Sequence, residues 1–216
     1  TANRVLNGWA TITDAVGMAS GANAPRLYFK KSTDADAFGV TNDATGNGWK
    51  YVVASGSGPY SFTLDYSVIN GGSVAVGDSI QYFVVAQDAA NNLGSSPAGA
   101  TASANPQVQN VNGHGAVNSF SIVPSISGTV TVGSGGTYPS LSGAGGLFAA
   151  LNGTLLTGDV VVKITSDLAE TGGVTLGQWL EEGSGNYTLT IQPDSATMQT
   201  ISGSAAAGLI TLNGAD

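Results

Sequence analysis

Tyr60-Ser61-Phe62-Thr63-Leu64-Asp65-Tyr66 is the stretch that decides the fold. Large apolar and small polar residues alternate in it without a break, so all the large side chains share one face of a strand. The same period of two recurs at 49–53, and at 80–87 apolar residues fill both faces. We therefore predict a sandwich of short strands in which the strand at 80–87 is central and covered on both sides.

The second half of the chain combines short apolar runs with a glycine-rich stretch at 142–153. In that stretch Leu147, Phe148 and Leu151 fall on one stripe, which predicts a short helix with Ser142 as its N-cap and Gly153 past its end. Short strands separated by turns follow the helix. This order predicts the opening of a right-handed parallel β-helix, with the short helix capping the end of the coil.

Between the two halves the alternation collapses into Ser, Ala, Asn, Gly, Pro and Gln. Such a composition is typical of a linker. The predicted fold class is therefore all-β. We predict a β-sandwich in residues 1–95, a linker in residues 96–118, and an incomplete β-helix-type unit in residues 119–216.

The charge of the chain restricts its partners. Its 216 residues carry a net charge of −8, with six basic side chains and no cysteine. The basic residues form no cluster, so neither nucleic acid nor an anionic membrane surface is expected as a partner. No apolar run approaches the roughly 18 residues that a membrane-spanning helix needs, so no membrane insertion is expected. An acidic surface with few charges is compatible with bound cations or with neutral glycans, and it selects neither.

No catalytic or cofactor-binding constellation is visible, and we predict that the chain is not an enzyme. His114 is the only histidine and lies in the predicted linker, where a solvated side chain is expected rather than a member of a triad. Without cysteine or a second histidine, a zinc site is excluded. The pair Glu181 and Glu182 is expected in an exposed turn, and no second carboxylate faces it as in a glycosidase.

One loop is rich in side-chain oxygens. Asp34, Asp36 and Asp43 lie there together with Asn42 and Asn47. Calcium takes six to eight oxygen ligands, so the three aspartates are candidate calcium ligands, although no EF-hand spacing follows them. The alternative interpretation is that Asp and Asn stand there because they form turns.

Two groups of segments carry a resemblance to a known family. The segments Ala24-Pro-Arg-Leu-Tyr-Phe-Lys-Lys, Gly48-Trp-Lys-Tyr and Asp78-Ser-Ile-Gln-Tyr-Phe-Val-Val resemble an immunoglobulin-like module of large surface proteins in Bacteroidetes-type bacteria. Gly135-Gly-Thr-Tyr-Pro-Ser-Leu and Gly208-Leu-Ile-Thr-Leu-Asn resemble the start of the β-helix that often follows that module. The resemblance implies an extracellular or cell-surface protein of the adhesin type. It also implies a further strand before Ala2 and further coils after Asp216.

The function expected from the residues and the resemblance together is that of a structural or adhesive module, alone or assembled into a filament. Its expected partners are other domains of the same protein, copies of itself, and glycans. Two alternatives stay open: an accessory region of a β-helix enzyme that degrades polysaccharides, or a carbohydrate-binding module. The second would use Trp9, Trp49 or Trp179 as a stacking platform. Of these, Trp49 is expected in a core and Trp179 is expected to be the most exposed.

Overall fold

The computed structural model describes residues 3–183 and 185–214, and the chain divides into two compact units, 1–122 and 123–216. Strands dominate the described residues, with one short α-helix and three 3-10 helices of three residues each. The prediction of an all-β protein is therefore confirmed. The predicted strand before Ala2 and the predicted coils after Asp216 lie outside the described residues.

Unit 1 is built from antiparallel strands. In chain order they are β1 Arg4–Ala10, β2 Arg26–Lys31, β3 Lys50–Val53, β4 Tyr60–Leu64, β5 Ser79–Gln87, β6 Leu93–Ser96, β7 Thr101–Ala102, β8 Val111–Gly113 and β9 Asn118–Ser121. Strand β5 is the centre of the larger sheet: it pairs with β2 on one edge and with β9 and β6 on the other. Strand β3 pairs with β2, β1 pairs with β4 in a second sheet, and β7 pairs with β8.

The large side chains of the predicted alternating strand lie in the core of unit 1. Tyr60, Phe62 and Leu64 are at most 6% exposed, and they share one hydrophobic cluster with Phe29 and Ile80 of the larger sheet. The two sheets therefore pack face to face, because the inward side chains of each strand lie on one side.

The opposite face of the larger sheet is also covered. Phe83 and Val85 of β5 join Tyr28, Trp49 and Val108 in a second cluster. Since Ile80 and Val84 of the same strand face the first cluster, β5 is buried on both sides, as the sequence predicts.

The stretch 96–118 is not a free linker. Val108 is fully buried and Val111 is 6% exposed, and both pack in the second cluster of unit 1. The side chain of Gln87 accepts a hydrogen bond of 2.8 Å from the Val108 amide, and β9 continues the sheet beside β5. The boundary between the units consequently lies after Ile122. Because small polar residues dominate the stretch, its sequence does not indicate that Val108 and Val111 are buried.

Unit 2 is built from parallel strand pairs. Its elements are β10 Ser125–Val132, α1 Leu147–Leu151, β11 Leu155–Ile164, β12 Leu168–Glu170, β13 Leu176–Gly177, β14 Leu180–Glu181, β15 Leu189–Pro193, β16 Ile201–Gly203 and β17 Leu212–Asn213. Strand β11 lies between β10 on one side and β14 and β15 on the other, β12 pairs with β16, and β13 pairs with β17. The chain thus passes the same positions repeatedly, and we call residues 125–151, 155–177 and 180–213 the first, second and third coils.

The predicted short helix is present as α1, and Gly153 lies past its end as expected. The predicted N-cap is wrong, because Gly146 is the N-cap residue. The hydroxyl oxygen of Ser142 lies instead 2.8 Å from the carboxylate of Glu170 and 2.6 Å from the carbonyl oxygen of Leu209. A turn closed by the bond from the Gly146 amide to the Gly143 carbonyl oxygen separates Ser142 from the helix.

Within the described residues, no helix combines the length and the apolar character that crossing a membrane requires.

Candidate functional site

The first and third coils of unit 2 differ in how far their apolar side chains are exposed to solvent. In the first coil five apolar side chains are at most 1% exposed. These are Val132, Leu141, Leu147, Phe148 and Leu151. In the third coil Ile191, Ile201 and Ile210 are each 41% exposed, and Leu212 is 60% exposed. The third coil therefore presents large apolar side chains to solvent.

A cavity of about 700 Å³ opens at this third coil. Leu176, Leu189, Ile191 and Leu212 line it, and Phe148 of α1 also contributes to its wall. These are the same kinds of side chain that fill the interior between the coils. The cavity is thus a continuation of the hydrophobic interior of unit 2 that no further coil covers within the described residues.

The backbone of the third coil is also unpaired along one edge. Each of β15, β16 and β17 has a single partner among the described strands, β11, β12 and β13 respectively. None of the three carries a charged side chain. Exposed strand edges in soluble proteins are commonly protected by charged side chains, so this edge resembles a surface that pairs with another strand.

Glu181 orders the turn beside the cavity. Its carboxylate accepts hydrogen bonds from the indole of Trp179 at 2.9 Å and from the amides of Asn186 and Tyr187 at 2.8 and 3.0 Å. These donors, the Trp179 indole first, lower the pKa of Glu181 below its usual value. The expectation of an exposed turn holds for Glu182, which is exposed, whereas Glu181 is half-buried and fixes the turn.

The three tryptophans differ from the expected order of exposure. Trp49 is 2% exposed and lies in a core, as predicted. Trp179 is partly buried against the core of unit 2, so the expectation that it is the most exposed is wrong. Trp9 is 43% exposed instead. The indole of Trp179 donates a hydrogen bond to the carboxylate of Glu181, and the local sequence does not reveal this contact.

His114 is not a solvated linker residue. Its side chain is 16% exposed, and its ring centre lies 5.0 Å from Trp49, 5.5 Å from Phe83 and 6.0 Å from Phe38. Its Nε2 lies 2.9 Å from Oδ1 of Asp36, and its Nδ1 lies 2.7 Å from the carbonyl oxygen of the next residue. Both ring nitrogens are therefore engaged, which suits a structural contact better than a catalytic base.

Asp36 connects this histidine to Trp49. The same Oδ1 atom accepts a hydrogen bond of 2.7 Å from the Trp49 indole. The bond from His114, followed by the one from Trp49, lowers the pKa of Asp36. No sequence motif predicts a contact between Asp36, Trp49 and His114. Sequence reasoning therefore missed this cluster.

The oxygen-rich loop encloses an ammonium group of the protein itself. Lys50 is fully buried, and its Nζ donates to the carbonyl oxygens of Thr41, at 2.7 Å, and Gly46. Burial lowers the pKa of Lys50, while the charges of Asp43 and Asp34 oppose this effect. The loop therefore already binds one cation with its backbone oxygens.

The three predicted calcium ligands are not brought together. Asp34 accepts from the Lys31 amide at 3.1 Å and the Asn70 side chain at 3.2 Å, and Asp43 accepts from the Thr45 amide at 2.9 Å. The carboxylate of Asp36 is hydrogen-bonded to His114 and to Trp49. Across the described residues, no group of three or more His, Cys, Asp and Glu side chains that could hold a metal is found. The carboxylates form turn and loop contacts, and calcium binding stays an untested prediction.

Glu170 is a second polar group that sequence reasoning missed. It is 2% exposed, and its carboxylate accepts hydrogen bonds from the Leu141 amide at 2.6 Å and from the Ser142 amide at 2.9 Å. It alternates with Leu168 on the buried face of β12. An acidic residue at an inward position of a strand was the one available signal.

No family model, curated protein or solved structure matches the chain in the comparisons with known proteins.

Proposed function

We propose that the chain is a non-catalytic structural or adhesive module of an extracellular or cell-surface protein. In this proposal unit 1 is an immunoglobulin-like sandwich and unit 2 is the start of a right-handed parallel β-helix. The face-to-face antiparallel sheets of unit 1 and the parallel strand pairs of unit 2 support the two fold assignments. The polar contacts that sequence reasoning missed, those of Asp36, His114 and Glu170, join segments of the fold to one another, which supports a structural role.

The open third coil is the observation that carries the proposal. Its apolar side chains are exposed, its strand edges are free among the described strands, and the cavity continues the interior of unit 2. Exposed apolar surface of this kind marks an interaction site.

The occupant of this surface is a strand-forming segment of the surrounding protein or of a copy of the chain. A parallel strand laid beside β15 would repeat the pairing that β11 already makes with it, with Val160 opposite Leu189 and Val162 opposite Ile191. Main-chain hydrogen bonds then supply affinity and the alternate side chains supply specificity.

Light scattering and binding of a hydrophobic dye test the proposal on the 216-residue chain. We expect concentration-dependent association and strong dye fluorescence, and both should fall in the variant Leu212→Lys, whose melting temperature stays unchanged because the side chain is already 60% exposed. The matched control is Val76→Lys, which charges a 61% exposed valine of unit 1. A monomeric chain that binds no dye, or an equal effect of the control, would contradict the proposal.

A further inference from the structure

A row of aromatic rings ending in an arginine lies on unit 1, well apart in sequence from the open coil. The ring centres of Trp9 and Tyr82 are 5.9 Å apart, those of Tyr82 and Phe120 are also 5.9 Å apart, and the guanidinium carbon of Arg4 lies 4.3 Å from the centre of Phe120. Strands β1, β5 and β9 supply these four residues. The row therefore joins residues of both sheets of unit 1, with Trp9 and Arg4 exposed and Tyr82 and Phe120 partly buried.

The row is both anchored and accessible. Trp9 packs edge-on with Phe62 at 6.2 Å and with Tyr82, yet 43% of its surface stays exposed. A small cavity of about 70 Å³ lies within the row, lined by Arg4, Leu6, Trp9, Leu64, Tyr82 and Phe120. No acidic side chain is among these lining residues. A ring fixed in this way loses little conformational freedom when a ligand packs against it.

Among the described residues of unit 1, Arg4 is the exposed basic side chain. Lys31 pairs with Asp78 at 3.7 Å. Arg26, Lys30 and Lys50 are at least 93% buried. Arg4 is exposed, and the ion pairs found among the described residues do not include it. Unit 1 has five basic and seven acidic side chains, a net charge of −2, so it repels an anion far less than the whole chain with −8 would suggest.

We propose that this row binds an acidic oligosaccharide, a glycan that contains hexuronate residues. The apolar face of a pyranose ring packs on the exposed indole of Trp9, and the carboxylate of the same or the next sugar pairs with the guanidinium of Arg4. Arginine is suited to this role because its planar fork matches both oxygens of a carboxylate. Trp9 and Arg4, the two exposed members of the row, are the residues that contact the sugar.

The chemistry of the row favours this ligand over other anions. A nucleic acid carries a phosphate at every residue and requires a row of cations, whereas this surface offers one. A neutral glycan would pack on the aromatic rings without using the charge of Arg4. The inference goes beyond the proposed function, because it gives unit 1 a ligand and does not depend on the open third coil.

Binding of trigalacturonate, followed by NMR through the tryptophan indole N–H signals, tests the inference on the full chain. The fully methyl-esterified trisaccharide is the matched ligand, since it keeps the rings and removes the charges. We expect the Trp9 signal, assigned with the variant Trp9→Phe, to shift with trigalacturonate, and the esterified form to bind about tenfold more weakly. Binding should also weaken with added salt.

Two variants that differ only in the place of the lost charge complete the test. Arg4→Gln should weaken trigalacturonate binding about tenfold, whereas Lys163→Gln, which changes the net charge equally but lies in unit 2, should leave it unchanged. Equal binding of the esterified sugar, an unshifted Trp9 signal, or no loss in Arg4→Gln would each overturn the inference. Association of the chain through its third coil is a separate readout that Arg4→Gln does not alter, so the two proposals fail independently.

Discussion

At the scale of single residues, the chain places buried polar groups where they tie distant segments together. Lys50 binds the carbonyl oxygens of the 41–46 loop, Asp36 links Trp49 to His114, and Glu170 links β12 to the turn before α1. Among the described residues, the Nε of Arg26 is the buried side-chain atom without a hydrogen-bond partner, and its guanidinium stacks at 4.1 Å on Tyr51.

Replacement of Glu170 should destabilise unit 2 strongly. In Glu170→Ala the amides of Leu141 and Ser142 lose their acceptor inside the protein, and a buried unsatisfied donor costs about 1–3 kcal/mol. We expect a loss of about 2 kcal/mol or more in the free energy of unfolding measured with urea. The control Glu182→Ala removes an exposed carboxylate and should change it by less than about 0.5 kcal/mol. Equal effects of the two variants would contradict the role of Glu170.

The contact of Asp36 predicts a dependence of stability on pH. Because the bonds from His114 and Trp49 lower the pKa of Asp36 in the folded state, this stabilisation is present above the usual pKa of 3.8 and is lost as the pH falls through the folded value. Asp36→Asn should therefore be less stable than the wild type at pH 6, and the difference should shrink towards pH 2.5.

The size of that difference is limited by solvent. The Asp36 side chain is 64% exposed, so we expect less than about 1 kcal/mol. Chemical denaturation at a series of pH values measures the difference, and Asp194→Asn, an exposed carboxylate of unit 2, is the control. A difference that stays constant from pH 6 to pH 2.5 would rule out the proposed linkage.

At the scale of elements, alternation predicts the strands well and fails at their connections. The inward positions of β4 and the double-sided burial of β5 follow from the sequence. The start of α1 and the packing of 96–118 do not, because each depends on partners from other elements. Gly48 is an example of such a dependence: it has a φ of +152°, and a Cβ there would collide with the carbonyl oxygen of Ala37.

Gly48→Ala should consequently destabilise unit 1. The new methyl group meets backbone, which cannot move aside as a flexible side chain would, and the backbone angle is itself strained for alanine. We expect a loss of about 2–3 kcal/mol in thermal or chemical unfolding. Gly94→Ala in β6 is the matched control, since nothing lies within 4 Å of the added Cβ. A loss in Gly48→Ala no larger than in the control would show that the loop at Ala37 adapts.

At the scale of the whole molecule, the chain consists of two units with different strand arrangements. Antiparallel strands build unit 1 up to Ile122, and parallel strands build unit 2 from Val123. The segment 96–122 belongs to the first unit, since it contributes β9 and the buried Val108 and Val111.

Truncation tests this boundary. A fragment of residues 1–122 should fold by itself and give near-ultraviolet circular dichroism and dispersed NMR signals. A fragment of residues 1–95 should lose several kcal/mol, because it lacks the strand beside the first half of β5 and two buried valines worth about 1.5–3 kcal/mol each. If the two fragments were equally stable, the segment 96–122 would be a linker after all.

The sequence by itself determined the all-β class, the inward faces of the strands and the short helix near the start of the second half. These features depend on local periodicity, which is a property of neighbouring residues. Only the tertiary structure decided that His114 meets Asp36, that Glu170 is buried with the turn at Ser142, and that the apolar side chains of the third coil stay exposed. Residues far apart in the chain make these contacts, so whether a polar group is satisfied or an apolar one is covered depends on which strands become neighbours.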